Sequence, residues 1–253
     1  MSSPVVAAAE PVIILDEVWL TFPLVEYHAA GVKEAFLMRV RGQTKPKAER
    51  EFVALRGISV TIRKGETVGI MGRNGSGKTT LLRVMSGAYR PDRGKVTTKG
   101  KVTNLQLGSG FREELTGYEN VKLSAAIMGL SPTEVASLME PIIQFADIGP
   151  HIYQPLRTYS SGMKARLGFS VASVLKPDIL LLDELLAVGD ADFKKKSMAR
   201  MEEMVTGDTT VVIVSHDPGE LKRLCTRALL MDKGSIVLDA SPAEVEKSYL
   251  GAS

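Results

Sequence analysis

The sequence predicts an α/β fold on a mainly parallel central sheet. Three observations carry that prediction. Residues 179–182 and 211–214 are continuous apolar runs, as strands buried on both faces require. Residues 116–146 and 168–175 carry apolar side chains at helical spacing. The two kinds of segment alternate along the chain, which is the pattern of a parallel sheet covered by helices.

Taken in order, 12–15 and 18–20 read as strand material, and 23–51 is less regular. Within it, 31–38 has the pattern of an amphipathic helix. The stretch 33–50 is basic, with Lys33, Arg39, Arg41, Lys45, Lys47 and Arg50 against Glu34 and Glu49. It reads either as a solvated surface insertion or as a docking element for a partner or a membrane face. Residues 58–62 alternate as a strand, Gly65 closes a turn, 66–71 is a buried strand and 80–85 opens a helix. Two short strands are expected at 94–98 and 102–107. Ser131 is placed to cap a helix, with Pro132 at its first position. The helical stretch between 79 and 179 is expected to form a second lobe, about 112–175. Residues 1–11 read as a flexible start, and 12–253 as one domain.

Gly72-Arg73-Asn74-Gly75-Ser76-Gly77-Lys78-Thr79 fits G-x-x-x-x-G-K-[ST], the phosphate-binding loop of nucleotide triphosphatases. Glycines at 72, 75 and 77 let the backbone fold into a nest of N–H donors. That nest, and the helix that Thr80 continues, attract phosphate. Lys78 brings a positive charge to the β- and γ-phosphates, and the Thr79 hydroxyl is a ligand for Mg²⁺. A strand before the loop and a helix after it argue against a chance glycine-rich turn.

Four further features stand in a telling order. Asp183 and Glu184 end the apolar run 179–182, so they emerge at the carboxyl edge of the sheet, where α/β folds bind ligands. Asp183 is placed to hold Mg²⁺ and Glu184 to polarise an attacking water. Tyr159-Ser160-Ser161-Gly162-Met163 precedes a helix expected to begin near Lys164, a second anion site at a helix N-terminus or simply a cap. His216 follows the strand 211–214 and points to a γ-phosphate contact. Gln106 ends the strand 102–107, where its amide could ligate Mg²⁺ or water, or cap a turn.

These elements, in this order, closely resemble the ATP-binding cassette superfamily from about Val12 onward. The resemblance implies a cassette-type nucleotide-binding domain with a mainly parallel core sheet, an antiparallel β subdomain and a helical subdomain. It makes 72–79 the Walker A loop, Gln106 the Q-loop residue, Asp183 and Glu184 the Walker B end, 187–190 the D-loop and His216 the switch histidine. Residues 159–163 stand where the family has Leu-Ser-Gly-Gly-Gln. Tyr159, Ser161 and Met163 depart from that consensus, while Ser160 and Gly162 keep the positions used against the γ-phosphate. With 105–111 and 114–120, these residues resemble the branch of ATPase subunits that serve bacterial polysaccharide exporters of O-antigen, teichoic acid or galactan. In many of that branch a Glu stands where Gln106 stands here.

The resemblance implies ATP and Mg²⁺ as cofactors, and a head-to-tail dimer with a second copy of the chain. In that dimer Lys78, Glu184 and His216 act catalytically, and Ser160, Ser161 and Gly162 complete the partner's site. It further implies two copies of a membrane permease, and a peripheral place on the cytoplasmic face of the bacterial inner membrane. The family stacks an aromatic ring on adenine. Phe22 has the right phase, with Tyr27 and Trp19 as alternatives; for Trp19, core packing is the plainer reading. With the chain ending at Ser253, an additional C-terminal carbohydrate-binding domain is not expected.

Composition narrows the classes. The 253 residues are 44% apolar and 24% charged, an ordinary globular balance. The net charge of +3 is too slight to argue for nucleic acid. The single cysteine, Cys225, excludes an internal disulfide. No run approaches the roughly 20 apolar residues of a membrane span, and residues 1–9 do not read as a signal peptide.

Overall fold

The computed structural model describes residues 9–24, 50–105, 110–174, 177–183, 190–205 and 208–251. Two sheets organise them. Strands β1 (Pro11–Leu24), β2 (Arg50–Arg63) and β4 (Arg93–Thr98) form a three-stranded antiparallel sheet in the order β2-β1-β4. Strands β3 (Thr67–Gly72), β5 (Val102–Leu105), β6 (Ile179–Asp183), β7 (Thr210–Val214), β8 (Arg227–Asp232) and β9 (Ser235–Ala240) form the second sheet, ordered β5-β6-β7-β3-β8-β9. It is parallel except for the β8–β9 hairpin.

The apolar runs behave as two-faced strands. Ile179 and Leu181 enter the cluster under the antiparallel sheet, with Val212, Val214, Val68 and Ile70. Leu180, Leu182, Val211 and Ile213 enter the cluster on the opposite face. Side chains alternate faces along a strand, so a run apolar at every position must be covered twice. The first face is covered by β1, β2 and helix α1 (Lys78–Met85), through Ile13, Leu55, Ile62, Leu81 and Leu82. Burying each such side chain contributes about 1.5–3 kcal/mol.

The expected strands at 12–15 and 18–20 are one strand with a bulge between them. Glu17 sits at φ 49° and donates its N–H to Ser59 Oγ at 2.9 Å instead of to the ladder. The two short strands expected at 94–98 and 102–107 belong to different sheets: β4 joins the antiparallel sheet and β5, described to Leu105, edges the parallel one.

Between β5 and β6 the chain is helical: α2 (Gly117–Ile127), α3 (Pro132–Ala146), two short 3-10 turns (Gly149–Tyr153 and Leu156–Thr158) and α4 (Ser161–Ser173). These share a third cluster with Val121, Ile142, Ile152, Leu156, Tyr159 and Leu167. Reciprocal capping boxes open α2, through Thr116 and Glu119, and α3, through Ser131 and Glu134 with Pro132 at the first position. Helices α5 (Ala191–Val205), α6 (Pro218–Leu224) and α7 (Pro242–Gly251) follow, and α5, α6 and α7 cover the second face. Among the described residues, no helix is long and apolar enough to cross a membrane.

Candidate nucleotide site

The phosphate loop leaves a strand buried along its whole length and enters α1 at Lys78. Gly75 (φ 80°) and Gly77 (φ 103°) hold left-handed conformations that a side chain would strain. At Gly72 the constraint is space: a Cβ there would lie 2.3 Å from the Met231 carbonyl oxygen and 2.6 Å from Ser76 Oγ. The β8–β9 turn braces the loop from behind, with the Gly234 N–H donating to the Ser76 carbonyl at 2.9 Å. Lys78 is buried, and its Nζ donates to the carbonyls of Gly72 (2.8 Å) and Arg73 (3.1 Å). Its charge is thus held inside the loop's curve, where anionic oxygens would compete for it.

Strand register brings the remaining chemistry to the same edge. Ile70 of β3 pairs with Val214 of β7, and Val214 pairs with Asp183 of β6. Asp183 and the β7 end that leads to His216 therefore stand level with the start of the phosphate loop. Asp183 Oδ1 is buried with no hydrogen-bond partner. A carboxylate oxygen aimed at nothing is costly unless a cation or donor arrives. His216 is exposed, and its loop is tied down by its neighbours. Ser215 Oγ donates to Glu220 at 2.7 Å and accepts from the Asp217 N–H at 3.0 Å. No cluster of three or more metal-ligating side chains exists among the described residues. Mg²⁺ takes one or two protein oxygens, with phosphate and water completing its shell. Asp183 and Thr79 fit that donor set.

Residues 159–163 lie elsewhere. Ser160 caps α4, its Oγ accepting from the Met163 N–H at 3.2 Å, and Ser160 and Ser161 are exposed. The helix begins at Ser161, three residues before the expected start. Tyr159 packs in the helical cluster, whereas the phosphate loop stands over the first cluster. The cleft at the loop is lined by Phe52, Ala54, Asn74, Gly75, Gly77, Lys78, Thr79 and Thr80, with nothing from 159–163. Asp190, at the end of the 187–190 segment, caps α5 and is bound by Arg166 of α4 at 2.8 Å. The Phe193 N–H, and then Arg166, hold its carboxyl below the usual aspartate range.

The aromatic lining that cleft is Phe52, about half exposed, a residue the sequence reading passed over. Phe22 lies opposite it in the β1–β2 ladder, but its ring packs edge-on against Tyr89 at 5.5 Å and against the first cluster. Trp19 is 37% exposed beside Gly57. The signal for Phe52 was its place on the strand that covers the loop. In the sequence that strand is expected only from 58, and the less regular stretch 23–51 ends in the charged Arg50 and Glu51 just before Phe52. Gln106, Glu184, residues 187–189, Tyr27, residues 1–8 and the basic stretch up to 49 lie outside the described residues.

Comparison with known proteins agrees with this arrangement. Residues 55–187 match the family described as ABC transporter. The chain is 42% identical over 243 residues to the ABC transporter protein AbcA of Aeromonas salmonicida, covering 95% of this chain and 76% of that protein. It is 42% identical over 224 residues to the O-antigen export system ATP-binding protein RfbB of Klebsiella pneumoniae, covering 88% and 91%. It is 41% identical over 213 residues to the teichoic acids export ATP-binding protein TagH of Listeria monocytogenes, covering 83% and 64%. Among solved structures it superposes on a dimeric, post-hydrolysis ATP-binding cassette, MJ0796, bound to ADP and Pi. That match has a TM-score of 0.71 at 21% identity, over 91% of this chain and 98% of that one.

Proposed function

Because this chain belongs to the ABC transporter family of ATP-binding proteins, we propose that it is the ATPase subunit of a polysaccharide exporter. Its cargo would be a lipid-linked polysaccharide of O-antigen or teichoic acid type, moved across the cytoplasmic membrane. The cargo class is supported by similarity to RfbB and TagH proteins over more than four-fifths of the chain. The observation that carries the mechanism is the separation of two half-sites. The phosphate loop and Asp183 stand at one sheet edge, and the exposed Ser160 helix terminus stands on a different hydrophobic cluster.

A head-to-tail dimer brings those halves together. The 72–79 loop of one copy holds the phosphates, and Ser160, Ser161 and Gly162 of the other close on the γ-phosphate. ATP oxygens replace the Gly72 and Arg73 carbonyls as partners of Lys78 Nζ. Phe52, rather than Phe22, supplies the adenine platform. Thr79 and Asp183 would hold Mg²⁺, with Gln106 as a further ligand, and the bound ion would withdraw charge from the phosphate oxygens. Glu184 takes the proton of the attacking water, whose oxygen bonds to the γ-phosphorus as ADP leaves. His216 holds the γ-phosphate oxygens in line. Closing and reopening of the dimer drives two copies of a multi-span permease from the cytoplasmic face of the inner membrane. Nucleic acid has no part in this cycle.

The test is deletion of the chain's gene together with co-purification from detergent. Loss of surface polysaccharide, internal build-up of the lipid-linked glycan and recovery of a multi-span permease are expected. Recovery of a permease that depends on a substrate-binding protein, with surface polysaccharide intact, would overturn export.

A further inference from the structure

Tyr159 and Gly117 are 42 positions apart and fit each other in space. Tyr159 directly precedes Ser160 and is 6% exposed, and its hydroxyl donates to the His151 carbonyl at 2.6 Å. Gly117 is the first residue of α2, and its backbone is not in the left-handed region. It is a glycine for want of room. A Cβ there would stand 2.2 Å from the Tyr159 hydroxyl and 3.0 Å from the Ile152 carbonyl oxygen. Contacts that short cannot be absorbed in a packed interior without moving something.

The surrounding backbone closes the arrangement. The Gly117 N–H donates to Gln154 O at 3.2 Å, Leu156 N–H to Leu115 O at 2.9 Å and Arg157 N–H to Glu113 O at 3.0 Å. These bonds stitch the entry to α2 onto the stretch that runs into Ser160. Along that stretch Tyr159 is the only side chain anchored at both ends, its ring in the apolar cluster and its hydroxyl on a carbonyl. Burial pushes the phenol further above its ordinary value, so it stays protonated and remains a donor. On the far side, Ser160 is fixed by its bond from the Met163 N–H. The backbone of Ser160 is thus held between a pinned ring and the first turn of α4.

We propose that Tyr159 is a positioning residue, pinned through Gly117 and His151, that sets Ser160 and Gly162 to meet the γ-phosphate held by a second copy of the chain. This rests on the head-to-tail dimer described above. A displacement of about 1 Å at a charge-binding group can cost on the order of 100-fold in function. A pin that fixes the residue next to Ser160 therefore acts on dimer closure, and leaves the nucleotide affinity of the chain's own loop alone.

The experiment uses the full chain carrying Glu184→Gln, so that ATP is bound and not consumed. Own-chain affinity is read with a fluorescent ATP analogue at protein concentrations that keep the chain monomeric. Dimerisation is read by sedimentation with ATP and Mg²⁺. Tyr159→Phe deletes the hydroxyl and should weaken dimerisation about three- to tenfold, the usual worth of one hydrogen bond. Gly117→Ala should weaken it more, because its methyl drives the ring aside. The double variant Gly117→Ala, Tyr159→Phe should recover most of the way from Gly117→Ala toward Tyr159→Phe, since the 2.2 Å contact goes with the hydroxyl while the 3.0 Å contact to the Ile152 carbonyl remains. All three should bind the analogue within about twofold of the parent. Parent-like dimerisation of Gly117→Ala overturns the pin, and so does a parallel loss of own-chain affinity, which marks general destabilisation. A parent that stays monomeric at saturating ATP overturns the dimer itself, and the pin with it.

Discussion

Replacing Asn120 tests whether the helical lobe is held by one buried amide. Asn120 is fully buried in the first turn of α2. Its Nδ2 reaches the carbonyls of Arg112 (3.0 Å), Leu115 (3.1 Å) and Thr116 (2.9 Å), and its Oδ1 accepts from the Arg112 N–H at 2.7 Å. Two amide hydrogens shared among three carbonyls, plus one accepted bond, amount to about three effective hydrogen bonds. At a net 0.5–1.5 kcal/mol each, Asn120→Ala should cost about 2–4 kcal/mol. In a chain of this size that is a fall of roughly 4–16 °C in Tm. Asn120→Asp keeps the shape but turns a carboxylate oxygen toward three carbonyls, so at neutral pH it should cost more than alanine. Protonation restores one donor, so lowering the pH should narrow that gap. Urea unfolding of the nucleotide-free protein at pH 7 and pH 5 reads both effects. A loss below about 0.5 kcal/mol, or an aspartate milder than the alanine, would refute the reasoning.

Three other outcomes are expected. Phe52→Ala should raise the ATP Kd about tenfold, within the range of one base–aromatic stack, while Phe22→Ala should lower Tm with little change in Kd; equal affinities in native protein and Phe52→Ala would reassign the platform. The Ser131 hydroxyl and then its N–H hold the Glu134 carboxyl below its ordinary value of 4.5. Its contribution is thus complete above that value and lost as the pH falls through the lowered one. Urea midpoints from pH 7 to pH 3 should fall less steeply for Glu134→Gln than for native protein, and an unchanged acid limb would remove the capping box from the account. Burial pushes the Cys225 thiol up to about 12, so iodoacetamide should label it only on unfolding, and rapid labelling of folded protein would contradict its buried place at the C-terminal cap of α6.

What the sequence shows and what it hides divide along physical lines. The phosphate loop, the Asp183 strand end and the Ser131–Pro132 helix start are local devices whose residue types and spacing are complete within a few positions. The apolar runs at 179–182 and 211–214 declare strands covered on both faces because every position must be apolar there. The sorting of β4 and β5 into different sheets is decided by partners far along the chain, so two similar short runs do not declare it. Phe52 fails for the same reason. Its phase on β2 is set against β1 across a stretch of 25 residues, and its neighbours Glu51 and Arg50 disguise the strand.

The departures around Ser160 are the harder case. Read as single positions, Tyr159 for leucine and Gly117 at a helix start are an irregular signature and a poor helix former. In space each accounts for the other, because the hydroxyl that leucine lacks occupies the volume that a Cβ would need. The same holds for the site as a whole. The loop at 72–79 and the serine at 160 both look like anion sites, and among the described residues the cleft at the loop takes no lining from 159–163. Two such half-sites on one chain, standing on different clusters, would be satisfied if copies met head to tail and each supplied what the other lacks. ATP would then be part of that interface. In the dimer proposed above, binding and loss of one phosphate would become closure and release, which is the form of work a membrane permease can use.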